Sequence, residues 1–181
     1  RKADPLVFVV DEFMKPATTM EGLGGLRAAF KKEGSVTAGN SSGLNDGAVA
    51  LLMASSEAVE KHNLKPLARI VSSAVAGVEP SIMGIGPVEA TKKALIKAGL
   101  TLDDMDVIEM NEAFAAQVLA CTRALGLKDD DPRINPNGGA IALGHPLGVT
   151  GGRILLSAAL ELQEHGKRYA LVSMCIGVGQ G

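Results

Sequence analysis

From Leu67 onward, Val- and Ile-rich runs alternate with helix-length amphipathic segments, and that alternation limits the possible folds more than any other feature. Leu67 to Val78, Asp106 to Met110 and Tyr169 to Met174 read as buried strands. Gly84 to Ala98, with a proline in its first turn, Ala113 to Leu125 and Thr150 to about His165 read as helices. Strands and helices in alternation give a layered α/β domain. Aromatic residues are only 3% of the chain while glycines number 22, so the core is expected to be aliphatic and closely packed.

The first third is less regular. Leu6 to Val10 reads as a buried strand, and Thr18 or Thr19 caps a helix expected to reach Lys32 with Leu23, Leu26 and Phe30 on its apolar stripe. Residues 37–47 form a loop of small polar residues that suits binding better than mere connection. Ala48 to Ala54 reads as a central strand, and Ser55 or Ser56 as the cap of a short helix ending near His62.

Several function classes are excluded. A formal net charge of -2 without any basic stretch gives no footprint for nucleic acid. No apolar run is long enough for a membrane span. Cys121 and Cys175 make no disulfide framework, which points to the reducing cytoplasm. His62, His145 and His165 lack metal-ligand spacing, so no metal site is expected.

Helix 150–165 spans roughly 24 Å at 1.5 Å per residue. Strand 169–175 spans roughly 23 Å at 3.3 Å per residue. Elements of matched length joined by a short turn at Gly166 run in opposite directions, so the helix start and the strand end share an edge. His145 precedes that start and Cys175 sits at that end. Asn111 occupies another strand-to-helix corner, and ligands of open α/β sheets favour such edges. Pro146 biases His145 towards an extended backbone, and the glycine loop near Gly177 leaves N–H groups free to meet an oxyanion. Taken singly, each residue has a plainer reading: His145-Pro146 as a turn, Cys175 as an inert buried thiol, Asn111 as a helix cap. Cys121 reads as core packing, and the glycines at 177–181 open no helix and make no dinucleotide fingerprint.

Together, Asn111-Glu112-Ala113-Phe114, Asn137-Gly138-Gly139-Ala140-Ile141-Ala142-Leu143-Gly144-His145-Pro146 and Cys175-Ile176-Gly177-Val178-Gly179 closely resemble the C-terminal motifs of the thiolase family, in order and spacing. The resemblance reaches back to Thr37-Ala38-Gly39-Asn40-Ser41-Ser42-Gly43-Leu44-Asn45-Asp46-Gly47 and so covers essentially the whole chain. It implies a layered α-β-α-β-α architecture of which this chain is the C-terminal half. Residues 1–45 would end the loop domain, 46–69 would supply the last strand and helix of the N-terminal half, and 70–181 would form the C-terminal domain without its last strand.

The resemblance also implies chemistry: cleavage of a 3-oxoacyl-CoA by a second CoA, or the reverse Claisen condensation, with coenzyme A as co-substrate and no covalent cofactor. His145 would activate the nucleophilic cysteine, Cys175 would shuttle the α-carbon proton, Asn111 would hold an oxyanion-site water, and the Gly177 N–H would join a second oxyanion site. Phe30, Ala38, Ser42 and Phe114 match positions lining the CoA channel, and Lys15 a position near the nucleotide end. The nucleophile belongs to the absent N-terminal half, so the chain alone is expected to be inactive. A homodimer or homotetramer in the cytoplasm is expected. The Asn135-Pro136-Asn137 stretch and the 174–179 ending look more like degradative 3-oxoacyl-CoA or β-ketoadipyl-CoA thiolases than acetoacetyl-CoA ones. The rivals are a decarboxylating ketoacyl synthase, against which Cys175 argues, and a non-catalytic CoA- or lipid-binding module of the same fold.

Overall fold

The computed structural model describes residues 7–181. Its helices are α1 (Met20–Gly24), α2 (Ser56–Lys61), α3 (Gly86–Ala98), α4 (Ala115–Ala124), α5 (Ala140–Leu143) and α6 (Thr150–Glu164), and its strands are β1 (Val107–Met110) and β2 (Ala170–Ser173). β1 and β2 pair in parallel, Val107 opposite Ala170 and Met110 opposite Ser173. Ile134 adds a bridge on the other side of β1, with the Ile108 N–H donating to Arg133 O at 2.8 Å.

Side-chain alternation along β1 explains how the sheet is covered. Ile108 and Met110 share one face: Met110 packs with Val88 of α3 and Cys121 of α4, and Ile108 packs with Met105, Leu171 and Leu95. Val107 and Glu109 point to the opposite face, where Arg153 of α6 approaches Glu109. Helices therefore lie on both sides of the sheet, with the aliphatic core expected of so few aromatics. Helix ends follow local chemistry: Gly99 ends α3 at φ 65°, a conformation that favours glycine, and the Thr19 and Ser55 hydroxyls accept from Gly22 N and Ala58 N to open α1 and α2.

Four expected elements differ. The helix from Thr19 stops at Gly24 rather than Lys32, because Gly22, Gly24 and Gly25 make a poor helical interior; Phe30 is 73% exposed instead of lying on an apolar stripe. Ala48 to Ala54 forms no strand, and Leu52 and Met53 face solvent. Leu67 to Val78 forms no ladder except an antiparallel bridge from Gly77 to Gln180. Of the expected strand at Leu6 to Val10, Leu6 lies outside the described residues, and Val7 to Val10 are exposed and unpaired. A strand exists only where its N–H and C=O groups find a second strand, and among the described residues these runs find none beyond the pairing of Ala76 to Val78 with residues 179–181. Residues 67–75 are held instead by side chains, with Gln163 Nε2 donating to Leu67 O at 2.7 Å and Lys97 Nζ to Ser73 O at 2.9 Å. Between this segment and β2 lies an apolar groove of about 940 Å³, bordered by Val71, Val75, Val172 and Ile154. Gly181 and Ala76 exchange two backbone hydrogen bonds of 2.9 Å at its end.

Candidate active site

The parallel strands bring their carboxyl ends to one edge, and α6 begins at that edge. A Cβ placed on Gly151, in the first turn of α6, would lie 3.6 Å from Met174 Sδ, so the helix start adjoins the end of β2. Asn111 follows β1 and takes its register from β2, its N–H donating to Ser173 O at 2.9 Å.

His145 is held from three directions. Its backbone N–H donates to Asn45 Oδ1 at 3.0 Å. Gly144, at φ 100°, lets that carboxamide approach, since a Cβ there would fall 2.7 Å from Asn45 Oδ1. Its ring Nδ1 lies 2.6 Å from Thr150 Oγ1, and Nε2 lies 3.4 Å from Asn111 Nδ2. The Thr150 hydroxyl also reaches Pro146 O at 3.1 Å, a group that only accepts. Its single proton goes there, so Oγ1 accepts from Nδ1–H and the lone pair is left on Nε2; the tautomer is assigned from this network. Burial, followed by the positive charge of Arg153, pushes the imidazole below its ordinary value. The ring is 8% exposed and neutral at pH 7, a base aimed at Asn111. The Asn111 carboxamide is itself buried, and its Oδ1 has no hydrogen-bond partner, so this edge has an acceptor ready for a donor from water or substrate.

Cys175 follows the end of β2 by two residues, is 7% exposed, and makes no hydrogen bond to His145 or Asn111 among the described residues. Burial pushes its thiol up, so at neutral pH the sulfur carries its proton. A resting thiolate base is therefore not what the surroundings favour; an acid is. Gly177 lies in a tight turn closed by Ile176 and Gln180, exposed and with open space beside its Cα. Cys121 is fully buried, its Sγ donating to Gly84 O at 3.2 Å, and belongs to the core.

The polar loop 37–47 ties these pieces together. Ser41 bridges Phe114, the Ser42 N–H donates to Ala113 O at 3.0 Å, and Leu44 bridges His145. Phe30 meets Phe114 edge to face with ring centroids 5.8 Å apart, and Ala38 is exposed in the same loop. Phe30 and Phe114 thus pack beside the loop that carries Ala38 and Ser42. Lys15 lies 5.8 Å from the Phe13 ring, against which Gly43 packs. Among the described residues no three His, Cys, Asp or Glu side chains gather into a metal-binding group, and no helix is long and apolar enough to cross a membrane.

Sequence reasoning missed several supporting residues. Thr150 figured only as a helix start, although its spacing from His145 across a Pro-Gly turn was a usable signal. Asn135, at φ 44°, accepts from Met110 N–H (2.8 Å) and donates to Met110 O and to Glu112 Oε1 (both 2.9 Å), standing in for a neighbouring strand. Glu112 in turn accepts from Ile141 N at 3.1 Å and fixes α5, a helix the sequence did not announce. Asn111 caps no helix; Phe114 is the residue before α4.

The chain matches the family described as Thiolase, C-terminal domain over residues 64–181, and Thiolase, N-terminal domain over residues 1–57. It is 61% identical over 181 residues to a beta-ketoadipyl-CoA thiolase of Acinetobacter baylyi, covering 100% of this chain and 45% of that protein. Among solved structures, human mitochondrial 3-ketoacyl-CoA thiolase in complex with CoA superimposes with a TM-score of 0.91 at 57% identity, over 96% of this chain and 43% of that one. The acetyl-CoA acetyltransferase of Bacillus anthracis gives 0.92 at 48% identity, over 100% of this chain and 45% of that one. The chain spans less than half the length of these relatives, and over its own length the mixed α/β fold is theirs. By sequence and by fold, it belongs to the thiolase family.

Proposed function

We propose that this chain supplies the acid–base and oxyanion part of a thiolase site that cleaves a 3-oxoacyl-CoA with CoA to an acyl-CoA and acetyl-CoA, or condenses them in reverse. The observation that carries the reading is the buried His145 ring with its lone pair on Nε2, beside an Asn111 carboxamide whose Oδ1 lacks a partner. Nε2 takes the proton of a cysteine thiol contributed by the N-terminal half, and the resulting thiolate attacks the 3-oxo carbon. The C2–C3 bond breaks, leaving the enolate of acetyl-CoA. Cys175, protonated at rest, delivers its proton to that carbon, while Asn111, through a water, and the Gly177 N–H stabilise negative oxygen. Incoming CoA then takes the acyl group from the cysteine. Phe30, Ala38, Ser42 and Phe114 line the approach of the pantetheine arm, and Lys15 the nucleotide end. No cofactor is held covalently.

Neither cysteine of this chain serves as the nucleophile: Cys121 is enclosed in the core and Cys175 holds its proton. The chain by itself is therefore inactive, and the active protein pairs it with an N-terminal half in a dimer or tetramer, in the cytoplasm. Relatives named beta-ketoadipyl-CoA and 3-oxoadipyl-CoA thiolase support a dicarboxylic 3-oxoacyl-CoA as the substrate to test first. The test is thiolysis of 3-oxoadipyl-CoA and acetoacetyl-CoA by the full protein and by its H145A and C175A variants. Loss of at least about 100-fold in kcat with CoA binding retained is expected, since a positioned acid or base contributes that much. Near-normal rates in either variant would remove that residue from the mechanism, and unchanged CoA binding with no turnover in the parent protein would favour a non-catalytic binding module.

A further inference from the structure

Glu109 is a buried acid that the proposed mechanism does not use. It is 1% exposed, and neither carboxylate oxygen has a hydrogen-bond partner. Its nearest cation, Arg153 Nη1, stands 3.9 Å from Oε2, too far for a hydrogen bond. An acid kept inside without partners is costly and calls for an explanation.

Position supplies one. Glu109 lies two residues before Asn111, so strand alternation puts both on the α6 side of the sheet. Arg153 lies three residues after Thr150, one turn along the same helix face. The pair Glu109–Arg153 therefore sits one layer beneath the trio Asn111, His145 and Thr150. We propose that Glu109 and Arg153 are positioning residues that keep the His145 imidazole unprotonated, Arg153 by its charge and Glu109 by governing how much of that charge is left uncompensated. This deepens the thiolase reading and rests on His145 being its base.

Arg153 is the charged group that reaches the His145 ring, whose other neighbours, Thr150, Asn111 and Asn45, are neutral. Around Glu109, α6 presents Arg153 and Glu161, the segment after β1 presents Glu112, and β2 presents the uncharged Val172. Burial first, with the repulsion of Glu112 and Glu161, pushes the Glu109 carboxyl up to about 7 against the pull of Arg153. As pH falls through 7, Glu109 takes a proton and unmasks the Arg153 charge. That occurs in the range where a free imidazole would itself become protonated. His145 thus stays a base to lower pH than burial alone would allow.

The test is the His145 ring titration, followed by NMR on the Cε1–H signal of the full protein. Arg153→Gln should move it upward; Glu109→Gln, which fixes the uncharged form Glu109 already has where His145 titrates, should leave the midpoint near the parent value and remove the inflection near pH 7 from the signal. Arg153→Lys, which keeps the charge, should leave it near the parent value. No upward shift in Arg153→Gln, or an inflection near pH 7 that survives Glu109→Gln, would overturn the proposal, because a purely structural role predicts no rescue by Arg153→Lys and no link between that inflection and Glu109. Should the Gln variants fail to fold, the unmodified protein decides: a Glu109 side-chain carbon titrating in the ordinary carboxylate range would overturn it, and one titrating near 7, with a matching inflection in the His145 signal, would support it. In the pH profile of thiolysis, Arg153→Gln should carry the acid limb to higher pH. The ring titration does not depend on turnover, so a protein without thiolase activity whose His145 titration still answers to Arg153 and Glu109 in this way would refute the function and leave the pair standing.

Discussion

Replacing Glu109 by Gln should change how stability depends on pH, and the size of the change follows from the structure. Burial, aided by Glu112 and Glu161 and opposed by Arg153, holds the folded-state carboxyl at about 7 against an ordinary value of 4.5. The folded value lies above the unfolded one, so the folded protein binds this proton more tightly. The stabilisation is present in full below the unfolded value and is lost as pH rises through the folded value. The gap converts to about 3 kcal/mol at the high-pH limit. Between pH 5 and pH 8 the parent should lose about 2.5 kcal/mol that the uncharged variant keeps. With the side chain only 1% exposed, solvent does little to screen the effect. Urea unfolding of both proteins at the two pH values measures it. Any fixed cost of the Gln amide beside Arg153 cancels in the comparison, because it is the same at both. The expected result is a variant-minus-parent gap that widens by about 2.5 kcal/mol from pH 5 to pH 8. Equal gaps would show that Glu109 ionises at its ordinary value and is reached by water.

Other perturbations follow from the same network. Asn135→Ala removes partners from Met110 N, Met110 O and Glu112 Oε1, and should destabilise by about 3 kcal/mol in urea unfolding, at 1–3 kcal/mol for each buried group left unpaired. Asn135→Gly loses the same bonds without the cost of φ 44° and should be the milder variant by several tenths of a kcal/mol. Thr150→Val deprives His145 Nδ1–H of its acceptor and should shift the ring towards the Nε2–H tautomer, visible in ring 15N shifts and in a lower kcat. Alkylation by iodoacetamide should be slow for Cys175 at pH 7, accelerate as pH rises past the ordinary thiol range, and leave Cys121 untouched in the native protein.

How much of this was legible beforehand depended on whether a feature was local or required a partner. The α6 and β2 pair was readable because a periodic helix, a Gly166 turn and an aliphatic strand are written in consecutive residues, and so His145 and Cys175 could be assigned to one edge from lengths, and Asn111 from its strand-to-helix corner. The runs at 48–54 and 67–78 carry equally strand-like sequences, yet form none. Their hydrogen bonds require a neighbouring strand, and composition does not say whether one is within reach. The helix expected from Thr19 to Lys32 failed for a local reason that was legible: three glycines in four residues outweighed an apolar periodicity. Thr150 was within local reach, five residues from His145, but Asn45 and Asn135 were illegible because each acts through a contact that only the fold creates, from Asn45 across a hundred residues to His145 in the longest case.

These contacts share a chemical pattern that bears on the mechanism. Asn45, Asn111, Asn135 and Thr150 surround the end of β1 and the His145 ring with groups that hydrogen-bond without charge. A carboxamide carries a donor and an acceptor together, so Asn135 can satisfy both the N–H and the C=O of Met110, which a carboxylate or an ammonium could not. Fixing the edge with neutral groups leaves the imidazole's proton affinity to burial and to Arg153 alone. Geometry and proton affinity are thereby set by different residues. Substitutions at Asn135 or Asn45 should disturb placement and stability while leaving the titration of His145 nearly in place. Arg153→Gln should move that titration, and Glu109→Gln should remove its inflection near pH 7. An Asn135 variant whose His145 titration moved as far as that of Arg153→Gln would mean that the two controls are not separate.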